Sequence, residues 1–131
     1  MDPSPRPLSP HLGIYRWQVQ MVTSILHRAS GIVLAFGSLL VLAGLLSLAA
    51  GRDAYAGFSA FLAWPLMQVL LLIWTWAFAF HLCNGVRHLL QDAGLGFAKP
   101  VFVRNGWLVV VASLLLTLAV WAWVLTRGGA A

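Results

Sequence analysis

The sequence predicts an all-α membrane protein: three transmembrane helices running up-down-up, preceded by an extended N-terminal arm. Three observations carry this. The 131 residues are 61% hydrophobic and 8% charged, with a mean hydropathy of +0.88, whereas a water-soluble domain carries roughly 25% charged residues. The apolar residues gather into three runs, each long enough to supply the roughly 20 helical residues that cross a hydrocarbon layer. The charges lie at or beyond the ends of those runs. Lipid and a partner chain must therefore complete the core. The net charge of +5 would suggest nucleic acid in a soluble protein; here it flanks spans and sets topology. The single Cys83 lies within a run. That excludes an internal disulfide and also covalent c-type haem, which needs Cys-x-x-Cys-His.

Taken in chain order, residues 1–21 form the arm. Pro3, Pro5, Pro7 and Pro10 oppose a helix and favour extended or turn geometry. The segment has no apolar core of a secretion signal and lacks the amphipathic Arg/Ser pattern of a transit peptide, so a bacterial inner membrane is the expected location. Residues 22–131 form the anchor. Its first helix is expected at about 22–50, uncharged after Arg28 and broken by Gly51-Arg52-Asp53. Tyr55 to Trp64 is mildly apolar and expected at the interface. Pro65 suits a first helical turn, where its missing N–H costs little, and helix two is expected at 65–90. The Asp92–Gly96 stretch ends it, and Lys99-Pro100 reads as loop. Helix three is expected at 107–126, closed by Arg127-Gly128-Gly129. Gly31 and Ala35 form a small-xxx-small pair suited to a helix contact.

Basic residues set the orientation. Arg6, Arg16, Arg28, Arg87, Lys99 and Arg104 fall on one side, against Arg52 and Arg127 on the other. The N-terminus and second loop are therefore expected to be cytoplasmic and the C-terminus periplasmic. Trp17 and Trp107 would mark the inner interface, and Trp64, Trp121 and Trp123 the outer one. Trp74 and Trp76 fall mid-span, where packing against a neighbour or a flat ligand is the simplest role.

This topology brings two polar motifs to one membrane face: Ser24-Ile25-Leu26-His27-Arg28-Ala29-Ser30-Gly31 and His81-Leu82-Cys83-Asn84-Gly85-Val86-Arg87-His88. His81 sits ~9 Å deeper than Arg87 along the helix, and an ionisable group at that depth is a functional candidate. A neutral imidazole is the usual axial ligand of a haem iron. Gly85, one turn on, leaves room for a macrocycle. The bland alternative, a His hydrogen-bonded to a neighbouring helix with Gly85 as a packing notch, has about even weight for a lone residue. His88 lies ~10 Å along the same helix, so both cannot grip one porphyrin. His27 is read as too shallow to oppose His81. A second ligand would then come from another polypeptide.

His27, Arg28, Arg87 and His88 lie where haem propionates would want cations, although Arg87 alone reads better as a snorkelling topology anchor. Ser24 and Arg28 share a helix face and could both donate to a quinone carbonyl, with Ile25 against the ring. An N-terminal Ser with a topology-setting Arg explains that spacing equally well.

Arg6-Pro7-Leu8-Ser9-Pro10-His11-Leu12 with Ile14-Tyr15, Ser24-x-x-His27-Arg28-x-Ser30-Gly31, and His81-x-x-x-Gly85-x-Arg87-His88 with Asp92 together resemble the cytochrome b membrane-anchor subunit of succinate dehydrogenase, respiratory complex II. The resemblance covers nearly the whole chain and all three motifs in register. It implies haem b shared with a second three-helix membrane-anchor subunit, with His81 as one axial ligand and a partner His as the other. It implies ubiquinone at Ser24 and Arg28, and propionates near His27, Arg28 and His88. It also implies docking of an iron–sulfur subunit and a flavoprotein subunit on the cytoplasmic face, with no catalysis by this chain alone. The nearest rival is the anchor of a quinol:fumarate reductase. A rival of another class is a small structural or transport membrane protein without haem. Proton-coupled transport usually places an acid inside the membrane, and Asp2, Asp53 and Asp92 all fall outside the expected spans.

Overall fold

The computed structural model describes residues 12–14 and 16–128; the rest of the expected arm, with its prolines, lies outside the described residues. After one 3-10 turn at Leu12–Ile14 come four helices: α1 (Val19–Ala50), α2 (Arg52–Leu62), α3 (Pro65–Asp92) and α4 (Lys99–Gly128). Among the described residues there is no strand. Helices α1, α3 and α4 are long and apolar enough to cross a membrane, so the expected all-α three-span architecture is the one observed. The 32 residues of α1 reach about 48 Å at 1.5 Å per residue, which exceeds the ~30 Å hydrocarbon core by several turns.

Three boundaries differ from the sequence reading. α1 begins at Val19 rather than 22, so residues 19–21 belong to the helix and not to the arm. The Tyr55–Trp64 stretch is largely a helix of its own, α2. Gly51 separates it from α1 with φ 113° and ψ 179°, a conformation open to glycine. α2 then folds back, so that a Cβ placed on Gly44 would lie 3.0 Å from the Phe58 ring. Finally, α4 begins at Lys99, eight residues before the expected Trp107. Pro100 fits its first turn, where no N–H partner is needed, and Phe102 N–H already donates to Ala98 O at 2.9 Å. Gly106, which suggests a loop in the sequence, is buried against Val19 of α1; a Cβ there would meet Val19 Cγ1 at 3.2 Å.

The turn between α3 and α4 is sharply defined. Leu95 N–H donates to Leu90 O at 3.0 Å and Gly94 N–H to Gln91 O at 2.8 Å, with Gly94 at φ 81°. This pair of bonds with a left-handed glycine is a Schellman closure. It satisfies the last carbonyls of α3 and returns the chain to the same membrane face.

α3 is the central helix, packed between α1 and α4. The α1 residues turned inward are Thr23, Ser30, Gly37 and Gly44, at seven-residue spacing: Thr23 and Ser30 are buried, and the two glycines partly so. Such small residues let helices approach closely in lipid, where burial of apolar surface gives no drive. The expected Gly31–Ala35 pair is only half present. Gly31 abuts His81, with a Cβ there 3.2 Å from Cε1, but Ala35 is exposed. Trp74 owes its mid-span position to Gly37, since any Cβ on Gly37 would collide with its indole. Trp76 packs on Phe80 with ring centroids 5.6 Å apart. Replacing Gly37 by Val is therefore expected to lower the thermal stability of the assembled protein by about 1–3 kcal/mol, the usual range for overpacking. An unchanged melting temperature would mean the α1–α3 contact lies elsewhere.

The interior is polar for its size. The buried apolar residues are Ala77, Ala79, Phe80 and Val109, while Thr23, Ser30, Asn84, Arg87, Ser113 and Thr117 are buried polar ones. Most hydroxyls return to their own helix, as Ser113 Oγ does to Val110 O at 2.8 Å. Large apolar side chains such as Phe36, Leu39 and Leu115 face outward, toward lipid or a neighbouring chain.

Candidate functional site

The two polar motifs meet where the first third of α1 crosses the second half of α3. The His81 imidazole lies at their centre. Its Nδ1 is 3.1 Å from Ser30 Oγ and 3.2 Å from the His27 backbone carbonyl. A carbonyl oxygen only accepts, so Nδ1 carries the proton. The Ser30 hydroxyl itself donates to the same carbonyl at 2.9 Å, leaving its lone pairs for His81. Nε2 then holds the free lone pair. Among the described residues it has no hydrogen-bond partner, and it is not among the side-chain nitrogens closed off from the surface.

His27 stacks on His81 with ring centroids 4.0 Å apart and planes 11° from parallel. The two rings are thus in contact, and His27 lies between His81 and His88. Two rings stacked face to face cannot approach one metal from opposite sides. His88 lies 5.1 Å from His27, tilted by 50°. Asn84 Nδ2 donates to His88 Nε2 at 3.2 Å.

Among the described residues Gly85 is pressed against no other helix. A Cβ there would meet nothing within 4 Å. With His81, Leu82, Val86 and Leu89 it lines an open groove on the outer face of α3. The structure thus puts His81, Gly85, His27 and His88 together. Ser24, Ile25 and Arg28 run along the adjoining flank of α1, with Ser24 half-buried and the other two exposed.

Arg87 departs from its expected role as a snorkelling anchor. It is 6% exposed, turned toward α4, with its guanidinium 4.4 Å from the Phe102 ring centroid. Nη1 donates to Asn84 Oδ1 over 3.4 Å, while Nε and Nη2 are buried without partners among the described residues.

Sequence reasoning gave no role to Ser30 or Asn84, the two side chains that hold His81 and His88. The seven-residue recurrence Thr23–Ser30–Gly37–Gly44 was the available signal for Ser30: it marks the face of α1 turned toward α3. Asn84 lies in the same seven-residue pattern on α3 as Ala77, and both are buried.

Residues 2–120 match the family model for the succinate dehydrogenase/fumarate reductase transmembrane subunit. The chain belongs to that family, and as a transmembrane subunit it works within a larger membrane complex. Among curated proteins it is 40% identical over 116 residues to the succinate dehydrogenase cytochrome b556 subunit of Rickettsia felis, covering 88% of this chain and 90% of that one. It is also 40% identical to the mitochondrial succinate dehydrogenase cytochrome b560 subunit of Mus musculus, over 86% of this chain and 68% of that one. The corresponding Homo sapiens subunit is 35% identical over the same shares.

Proposed function

We propose that the chain is the cytochrome b anchor of a succinate:ubiquinone oxidoreductase. In this reading His81 is an axial ligand of a haem b shared with a second three-helix anchor subunit, and Ser24, Ile25 and Arg28 form this chain's wall of the ubiquinone-reduction site. The observation that carries the reading is the His81 imidazole. Its Nδ1–H is committed to the Ser30 hydroxyl and the His27 carbonyl, which leaves Nε2 as a neutral donor at the surface. Metal-ligating histidines characteristically anchor the other ring nitrogen in this way. The open space at Gly85 fits a flat macrocycle lying against the backbone one turn from the ligand. Because His27 is stacked on His81, the opposing ligand comes from the partner anchor.

When bound, the haem supplies one-electron storage beside the quinone site. The chain's own residues do the rest. Ser30 and the His27 carbonyl hold the His81 ring in one tautomer and one orientation. His27, Arg28 and His88 offer N–H donors to the propionates at the membrane edge. Ser24 and Arg28 both donate to a quinone carbonyl oxygen, and the guanidinium stabilises the negative charge that gathers there on reduction. Ile25 packs against the ring. The positive-inside distribution supports a cytoplasmic N-terminus and α3–α4 turn and a periplasmic C-terminus in a bacterial inner membrane. That face would dock the iron–sulfur and flavoprotein subunits, and succinate is oxidised in the latter.

Arg28→Ala is expected to slow quinone reduction roughly ten- to a hundredfold, the worth of one lost charged hydrogen bond, and Ser24→Ala less. Succinate oxidation by a soluble artificial acceptor should stay unchanged in both. Equal loss of both activities would signal failed assembly and remove the support for a quinone site here.

A further inference from the structure

Arg87 and the groove beside it are not used by this reading. Arg87 lies about 120° around α3 from His81 at 100° per residue, facing α4 rather than the Gly85 groove. Burying a guanidinium is costly unless it is paired, yet Nε and Nη2 have no partner among the described residues. Among the described residues the acids are Asp53, at the far end of the bundle, and Asp92, exposed in the last turn of α3. Neither neutralises Arg87. Arg87 lines a cavity between α3 and α4 together with Gln91, Asn105 and apolar Leu90 and Leu95. A second, wholly apolar cavity continues it toward mid-span: Cys83, Val86 and Leu108 line both, and the second ends at Leu82, Val109 and Ala112. From Val101 to Ala112 the combined groove runs about 16 Å along α4. It has a cationic end at the membrane edge and an apolar end in the hydrocarbon. Exposed Lys99 and Arg104 flank the cationic end.

We propose that this groove holds an anionic phospholipid of the same leaflet, its phosphate neutralising Arg87 and one acyl chain lying along Cys83, Leu108 and Ala112. Basic pockets between transmembrane helices are suited to such headgroups. The head-to-tail polarity of the groove selects a lipid over a free anion, which would leave the apolar half empty, and over an acidic side chain from a partner. The proposal is independent of the haem assignment.

The test is lipid retention by the intact complex, extracted in detergent and washed with phosphatidylglycerol, phosphatidylcholine or inorganic phosphate. Bound lipid is read by native mass spectrometry and the melting temperature is followed in parallel. Phosphatidylglycerol should be retained in preference to phosphatidylcholine and should raise the melting temperature, and phosphate should do neither. Arg87→Gln should remove the preference. Ala112→Trp, which fills the apolar end and leaves Arg87 intact, should lower retention of either lipid. Equal retention of the two lipids by the native complex, equal stabilisation by phosphate, or phosphatidylglycerol retention unaffected in either variant would overturn the proposal.

Discussion

His81→Ala should abolish or grossly alter the b-type band in the reduced-minus-oxidised spectrum of the purified complex, while all subunits still co-purify. The effect is expected to be near total because the imidazole has one free nitrogen and the structure offers no substitute. His27 is stacked flat on His81, and His88 is tied through Nε2 to Asn84. His88 cannot swing over without breaking that bond, and His27 is not among the residues that line the groove beside Gly85. A native-like band in the variant would place the iron elsewhere and leave His81 as a polar packing residue held by Ser30.

Gly85→Leu should produce nearly the same spectral loss by another route. Nothing among the described residues approaches within 4 Å of a Cβ at this position, so the three-helix anchor itself accommodates the larger residue. Leucine is also a better helix former than glycine, by roughly 0.8 kcal/mol. The side chain would instead fill the groove beside His81, where the macrocycle is proposed to lie. The expected outcome is an anchor that inserts normally, with haem content reduced to a small fraction of the native level. This separates the two roles for Gly85 weighed in the sequence: a helix-packing notch would fail at insertion or assembly, while a ligand cradle fails at haem binding. Full haem content in a well-assembled Gly85→Leu complex would exclude the cradle.

The spans and the meeting of the two motifs were legible because both follow from one-dimensional patterns. Apolar run length sets the number of crossings, and crossing number sets which ends share a face. Less legible were features decided by neighbours. α2 is a helix because Gly51 permits a sharp break and Phe58 finds the gap left by Gly44, a contact no local pattern announces. α4 starts early because Pro100 is harmless in a first turn and Gly106 is pressed against Val19; in sequence both residues punctuate. Arg87 reads as an anchor by position, yet it turns inward because α4 presents Phe102 to its guanidinium. The stack of His27 on His81 is likewise a contact between two helices, which counting along one of them does not show.

In the proposed assembly His81 presents Nε2 to a haem completed by an imidazole from a second polypeptide. The most direct measurement is low-temperature electron paramagnetic resonance of the oxidised, fully assembled complex, set against the same chain purified without its partner anchor. A low-spin ferric signal of bis-imidazole type in the complex, absent from the isolated chain, is the predicted result. A preparation with every subunit present but no iron porphyrin, or the same bis-imidazole signal from this chain alone, would contradict it.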